Sequence, residues 1–333
     1  MTSANSSRSL GWLSSIGAIP IIVLAFIIFF GVLEPSFLSG ENIFNLSRQS
    51  SYLILICVAQ FLVLLTGGID LSVGSTVSLV SVVSALVMKT LAVSYPDSQA
   101  FVVALGVLSG IGVGAAVGLF NGVGVAYLKV TPFVMTLGTL SMALGLALYI
   151  SGGYSISGLP KAFGDVFSYD TVLGVPVPII YTVIVIVCVY VLLSWTLPGR
   201  YIYSIGSNIQ AARLSGIPTR AYLVFSYTMS GVIVGIAAVL MTARTESGEA
   251  SLGGAELILK AVAGCIIGGV ALTGGQGVLR NVVLGAFFIT LLSNGMNLLR
   301  VNSYLQTFTM GAVLVVAIAI DQLRTSYLDG RSR

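Results

Sequence analysis

Apolar residues fall in long blocks along this chain, separated by short polar punctuation rich in Gly, Pro, Ser and charge. A helix needs about 20 apolar residues to cross the hydrocarbon layer of a bilayer. About ten blocks approach that length: 16–33, 50–66, 71–91, 100–120, 133–150, 178–197, 222–242, 257–272, 281–299 and 304–321. The pattern predicts an all-α polytopic membrane protein. The eighth block is short and the second and third nearly touch, so the expected count spans about nine to eleven. Block 16–33 is longer than the apolar region of a secretory signal, and no small-x-small cleavage site follows it, so it counts as the first helix.

Composition agrees. Of 333 residues, 56% are hydrophobic and 8% charged, whereas a soluble domain carries about 25% charge to solvate its surface. No stretch is polar enough to form a separate soluble domain, so residues 1–333 read as one membrane domain. Tails at 1–15 and 322–333 flank the helices. Histidine is absent, which argues against metal sites and histidine-based catalysis. Cys57, Cys188 and Cys265 lie within apolar runs and are expected to be buried as small apolar residues.

The distribution of Lys and Arg predicts orientation. With the N-terminus inside, the inner segments hold Arg8, Lys129, Arg200, Arg213, Arg220, Arg280, Arg324, Arg331 and Arg333. The outer segments hold Arg48, Lys89, Lys161, Arg244, Lys260 and Arg300. Nine against six favours both termini in the cytoplasm with an even number of spans. A net charge of +4 divided between the two sides of a membrane gives no reason to expect nucleic acid, and the basic inner loop 198–221 could lie against anionic lipid.

Glycine spacing indicates how the helices pack. Gly106, Gly110, Gly114, Gly118 and Gly122 recur every four residues, and Gly231/Gly235 and Gly264/Gly268 repeat the interval. Small residues at this spacing let a neighbouring backbone approach closely in lipid. Two loops are too long to be simple turns. The outer loop 151–177 has the Gly, Pro and aromatic residues of a folded cap. In the inner loop 198–221, residues Asn208–Leu214 can form a short helix, capped by Asn208 and stopped by Gly216 and Pro218.

One interruption has the chemistry of an interior site. TGGIDLSVGS (Thr66–Ser75) breaks an apolar stretch that otherwise runs from Tyr52 to Met88, predicting a broken helix near 67–72. Asp70 or Ser72 can cap the resumed helix. An ionised Asp at membrane depth costs about 2.5–3.5 kcal/mol on insertion scales, so Asp70 needs a cavity, a partner or a helix N-terminus. Gly67, Gly68, Asp70 and Ser72 therefore form a candidate break in the translocation path. Gln60, Asn121, Thr136, Asn294 and Asn297 are further polar residues inside apolar blocks that could line the path or hold a neighbouring helix.

TGGIDLSVGS resembles the signature of permease subunits of ABC importers of the ribose/arabinose/galactose type, a family that also includes autoinducer-2 permeases. The similarity continues through GLFNGVGVAYLKVTPFVMTLGT (Gly118–Thr139), GSNIQAARLSGI (Gly206–Ile217), YTMSG (Tyr227–Gly231) and ELILKAVAGCIIGGVALTGGQG (Glu256–Gly277). It covers residues from about 40 to 320. Lys260, Arg280 and Asn281 depart from the pattern, and no role is carried onto them.

The resemblance implies a bacterial inner-membrane subunit. It would form the path for a monosaccharide or related polyol delivered by a periplasmic binding protein. Separate cytoplasmic ATPase subunits would supply the energy, and a second permease copy or homologue would complete the pore. Gly206, Asn208, Ala211, Ala212, Arg213, Gly216 and Ile217 match the family's ATPase-coupling loop. The chain itself has no GxxxxGK[ST] loop, so a transport subunit without its own nucleotide cofactor, metal or catalytic residues is expected. A branched-chain amino-acid ABC permease and a self-powered secondary transporter are the alternatives. Proton coupling generally needs ionisable residues at depth, and only Asp70 qualifies.

Overall fold

The structure, a computed structural model, describes residues 19–330, with side chains described through residue 319. The chain is a helical assembly. α1 (Ile19–Leu33) leads through a 3-10 turn to α2 (Gly40–Leu65). Then follow α3 (Val73–Ser94), α4 (Gln99–Ala126), α5 (Pro132–Ser151) and the short α6 (Lys161–Gly164). A two-stranded hairpin, Thr171–Val172 with Val175–Pro176, precedes α7 (Val177–Trp195). Two short helices, α8 (Leu197–Ser207) and α9 (Ile209–Leu214), lead into α10 (Thr219–Thr245). The chain continues as α11 (Ala255–Ile267), α12 (Leu279–Leu298) and α13 (Ser303–Gly330).

Seven helices (α2, α3, α4, α5, α7, α10 and α12) are long and apolar enough to cross a membrane. The other three of the expected ten are shorter: α1, α11 and the apolar part of α13, Ser303–Ala319. Large apolar side chains cover the outward faces, including Val32, Leu128, Tyr149 and Val187, as a lipid-facing surface requires. The tail expected at 1–15 lies outside the described residues, and α13 continues through most of the one expected from 322.

The glycine spacing does what the sequence predicted. α4 packs along α10, where a methyl at Gly114 would collide with the Gly231 carbonyl and one at Gly118 with the Tyr227 carbonyl. A methyl on Gly235 would lie 2.9 Å from Ile111 Cα. α11 meets α12 in the same way, through Gly264, Gly268 and Gly285. α2 forms the centre of the bundle and is buried along nearly all its length from Ser50 to Leu65. It starts ten residues before the expected block because Ser39 caps it, accepting from the Asn42 N–H, and Glu41 lies in its first turn.

Two expectations need correction. Cys57 and Cys265 are buried, but Cys188 is exposed on the outer face of α7. An apolar run shows that a helix is lipid-compatible, not which of its faces is inward. The inner loop also holds more structure than Asn208–Leu214. α8 precedes that helix, burying Gly199, Ile202 and Ile205 along one face.

Candidate transport and coupling site

The helix breaks where the sequence indicates: α2 ends at Leu65 and α3 begins at Val73. Gly67 turns the chain at φ +77°, in the left-handed region that favours glycine. The chain then rises beside α2, with Gly68 against Val63 and Tyr227. The exposed backbone is satisfied locally. With its amide turned so that the nitrogen faces the Asp70 carbonyl, the orientation its neighbours require, Gln60 donates to that carbonyl (3.0 Å) and accepts from the Asp70 N–H (3.2 Å). Asp70 Oδ1 accepts from the Ser72 N–H (2.8 Å) and hydroxyl (2.6 Å). The carboxylate therefore organises the turn before α3, and the Ser72 side chain makes no cap bond.

The network reaches two further helices. Asn121 Nδ2 on α4 donates to Ser72 Oγ (2.9 Å), and Thr139 Oγ1 on α5 donates to Asn121 Oδ1 (2.6 Å). Thr136 Oγ1 donates to Pro132 O (2.9 Å) and approaches Ile69 O (3.3 Å). Gln60, Asp70, Ser72, Asn121 and Thr136 thus converge, each buried within the chain. Asn294 and Asn297 do not join them. Asn294 makes a reciprocal amide pair with Asn42 on α2 (2.9 and 3.0 Å), and Asn297 accepts from Gln306 (2.9 Å) at the α12–α13 turn.

The break also touches the inner loop. Three glycine-bearing segments meet: the end of α2, the end of α8, and the turn before α12. Gly275 N–H donates to the Leu65 carbonyl, and Tyr203 Oη on α8 donates to the Gly277 carbonyl, both at 2.9 Å. A methyl on Gly206 would collide with the Leu65 carbonyl and the Gly275 N–H, and one on Gly274 would lie 2.6 Å from the Gly67 nitrogen. Backbone lies against backbone here, so α8 cannot shift without disturbing Gly67 or the 273–277 turn.

Beyond α8, Asn208 caps α9, its Oδ1 accepting from the Gln210 and Ala211 N–H groups (3.0 Å each). Gly216 ends the loop at φ +79°. Ala212 and Ile217 pack inward beside Ile205 and Leu223, whereas Ala211, Arg213 and Leu214 face outward. Leu214 is 92% exposed. The sequence reading passed over it, although an apolar residue between Arg213 and Ser215 is a usable sign of a docking face.

A second irregular segment, residues 246–254, was also missed. Gly248 exchanges backbone bonds with Ile156 (2.9 Å each way). The segment then follows α3: the Glu249 N–H donates to Ser81 Oγ (3.1 Å) and the Gly253 N–H to Ser78 Oγ (3.2 Å). Gly253 ends against the Gly74 carbonyl. The segment therefore follows about three turns of α3, from Ala85 to Gly74. α11, of 13 residues, follows this stretch directly. The segment's signal was present as Ser72, Ser75, Ser78, Ser81 and Ser84, a serine every third residue.

A polytopic helical bundle with a broken helix at its centre and a short helical loop at one end has the architecture of a membrane permease. Residues 42–318 match the family described as branched-chain amino acid transport system / permease component, and the chain belongs to that family. It is 37% identical over 303 residues to the D-allose transport system permease protein of Escherichia coli K12, covering 90% of each chain. It is 36% identical to the ribose import permease protein of Bacillus subtilis, again over 90% of each. With the galactose/methyl galactoside import permease protein of Salmonella typhimurium it shares 33% identity over 97% of this chain and 98% of the other. No solved structure matches.

Proposed function

We propose that this chain is the membrane-spanning subunit of an ABC importer for a monosaccharide or a closely related polyol. The observation that carries the reading is its end-to-end similarity to permeases for allose, ribose and galactose. The family description names branched-chain amino acids, but these three relatives are named for sugars. In this reading an extracytoplasmic binding protein delivers the sugar, a second permease completes the path, and cytoplasmic ATPase subunits drive it. Both termini and the α8–α9 loop face the cytoplasm, as the Lys and Arg distribution favours.

The α8–α9 loop is the docking element in this account, with Ala211 and Leu214 presented to the ATPase and the Arg213 guanidinium turned toward Thr219. Gly206 and Tyr203 then pass its movement to the Gly67–Asp70 break. Gln60, Asp70, Ser72 and Asn121 hold the break rigid within each protomer, so they position the path rather than contact the sugar. The test is uptake into proteoliposomes containing this chain with its ATPase and binding protein. The expected result is accumulation of a monosaccharide only with ATP, with no competition from leucine. Accumulation by the chain alone under a proton or sodium gradient would identify a secondary transporter, and competition by leucine would identify an amino-acid permease.

A further inference from the structure

At the α8–α9 end of the bundle, a cavity of about 460 Å³ opens between the α4–α5 turn and the loop leading into α10. Lys129, Arg213 and Arg220 line it, together with Thr131 and Tyr227. Arg213 and Arg220 also line an adjoining cavity of about 430 Å³. Neither cavity has an acidic residue in its wall. Among the described residues the one ion pair is Glu256–Lys260, so none of the three cations has a carboxylate partner. Like charges gathered at one concavity repel, and an anion between them relieves that repulsion.

Three features make this more than a basic surface. Arg213 Nε donates to Thr219 Oγ1 (3.1 Å), which fixes the guanidinium, and Arg220 lies 5.8 Å from the centre of the Tyr127 ring. α5, a helix of 20 residues, begins at the cavity wall with Pro132 in its first turn and no side-chain cap. Its first N–H groups are therefore open to an anion. Tyr227 is fully buried, its hydroxyl has no hydrogen-bond partner, and that hydroxyl lies beside Gly68 in the cavity wall. An unpaired buried hydroxyl calls for a partner.

We propose that Lys129, Arg213, Arg220, the N-terminus of α5 and the Tyr227 hydroxyl form a binding site for a net-anionic phosphate group. These donors outnumber what one carboxylate can accept, whereas a phosphate offers several oxygens and suits the planar arginine fork. A neutral sugar would leave three charges uncompensated. The group belongs either to an anionic phospholipid headgroup or to a soluble phosphate. Apolar Val125, Val130 and Pro132 in the wall and exposed Leu128 and Phe133 beside it suit an acyl chain. Once bound, the anion bridges the loop that carries Arg213 to the α4–α5 turn that carries Lys129. Binding itself does not depend on what the protein transports.

The test is the thermal unfolding midpoint of the purified full chain in detergent at constant ionic strength. It is titrated with short-chain phosphatidylglycerol, inorganic phosphate, short-chain phosphatidylcholine and ribose. A saturable rise is expected with phosphatidylglycerol alone if the source is lipid, and with inorganic phosphate as well if the site takes soluble phosphate. Lys129→Gln and Arg220→Gln, tested separately in case one folds poorly, should each raise the half-saturating concentration by about tenfold, the scale of one charge-assisted bond. Tyr227→Phe should raise it by about threefold, and Lys161→Gln should leave it unchanged. The proposal is overturned if neither anion gives a saturable rise. It is equally overturned if Lys161→Gln shifts the titration as much as the other two lysine and arginine variants, or if ribose produces the rise that those variants abolish.

Discussion

Two irregular segments lie inside this bundle, and they are satisfied by different means. The break at 66–72 relies on side chains that accept and donate at depth: Gln60, Asp70, Ser72 and Asn121, drawn from three regions of the chain. The segment at 246–254 relies on hydroxyls already present on α3, with glycine at the closest approach. Non-helical backbone survives at membrane depth only where protein or water meets its polar groups. Serine and glycine meet that need at little cost. A buried carboxylate is a more demanding solution, and it occurs at the segment that also touches α8 and the 273–277 turn. The difference separates an anchor, the 246–254 segment, from a connection between the α8–α9 loop and the centre of the bundle.

The comparison can be broken most severely at Asp70. Asp70→Ala leaves the Ser72 N–H and hydroxyl unmet and should cost about 3 kcal/mol or more, read as a lowered unfolding midpoint in detergent. Asp70→Asn keeps an acceptor oxygen and should recover most of that loss; equal damage from both would mean that the negative charge, not the hydrogen bonds, organises the turn. Gly253→Ala forces a methyl into the Gly74 carbonyl and should cost about 2 kcal/mol by overpacking, while leaving ATP-driven uptake per folded molecule near normal. Ser81→Ala removes the partner of Glu249 N–H and Thr242 Oγ1 and should cost about 1 kcal/mol. Gly138→Ala meets no atom within 4 Å and should change stability by no more than about 0.5 kcal/mol.

Much of this fold was legible because helix breaks and close packing leave local marks. Adjacent glycines and an aspartate located the break to within a residue or two, Asn208 announced the start of α9, and the four-residue glycine spacing marked the face of α4 that admits a neighbour, though not that the neighbour is α10. Hydropathy was less informative about depth. It counts apolar residues without showing where irregular backbone packs along a helix, so block 257–272 ran past the end of α11 at Ile267 and the 246–254 segment went unnoticed. Buried polar residues also look alike in sequence. Asn121 and Asn294 are both amides in apolar blocks, yet one joins the break and the other pairs with Asn42. Only a partner distant in sequence distinguishes them. α8 was less visible because part of its packing comes from distant segments, the end of α2 against Gly206 and the Gly277 carbonyl on Tyr203.

The central claim is that movement of the α8–α9 loop reaches the Gly67–Asp70 break through Gly206. The most direct test is ATP-driven sugar uptake by proteoliposomes containing the assembled importer, with Gly206 or with Gly206→Ala. A single methyl there must displace the Leu65 carbonyl or the 273–277 turn, while the outward residues Ala211, Arg213 and Leu214 are untouched. The account predicts that the variant copurifies with the ATPase and hydrolyses ATP, while uptake per ATP hydrolysed falls by about tenfold, equivalent to about 1.4 kcal/mol. Uptake at the wild-type ratio, from a folded and assembled Gly206→Ala complex, would contradict it.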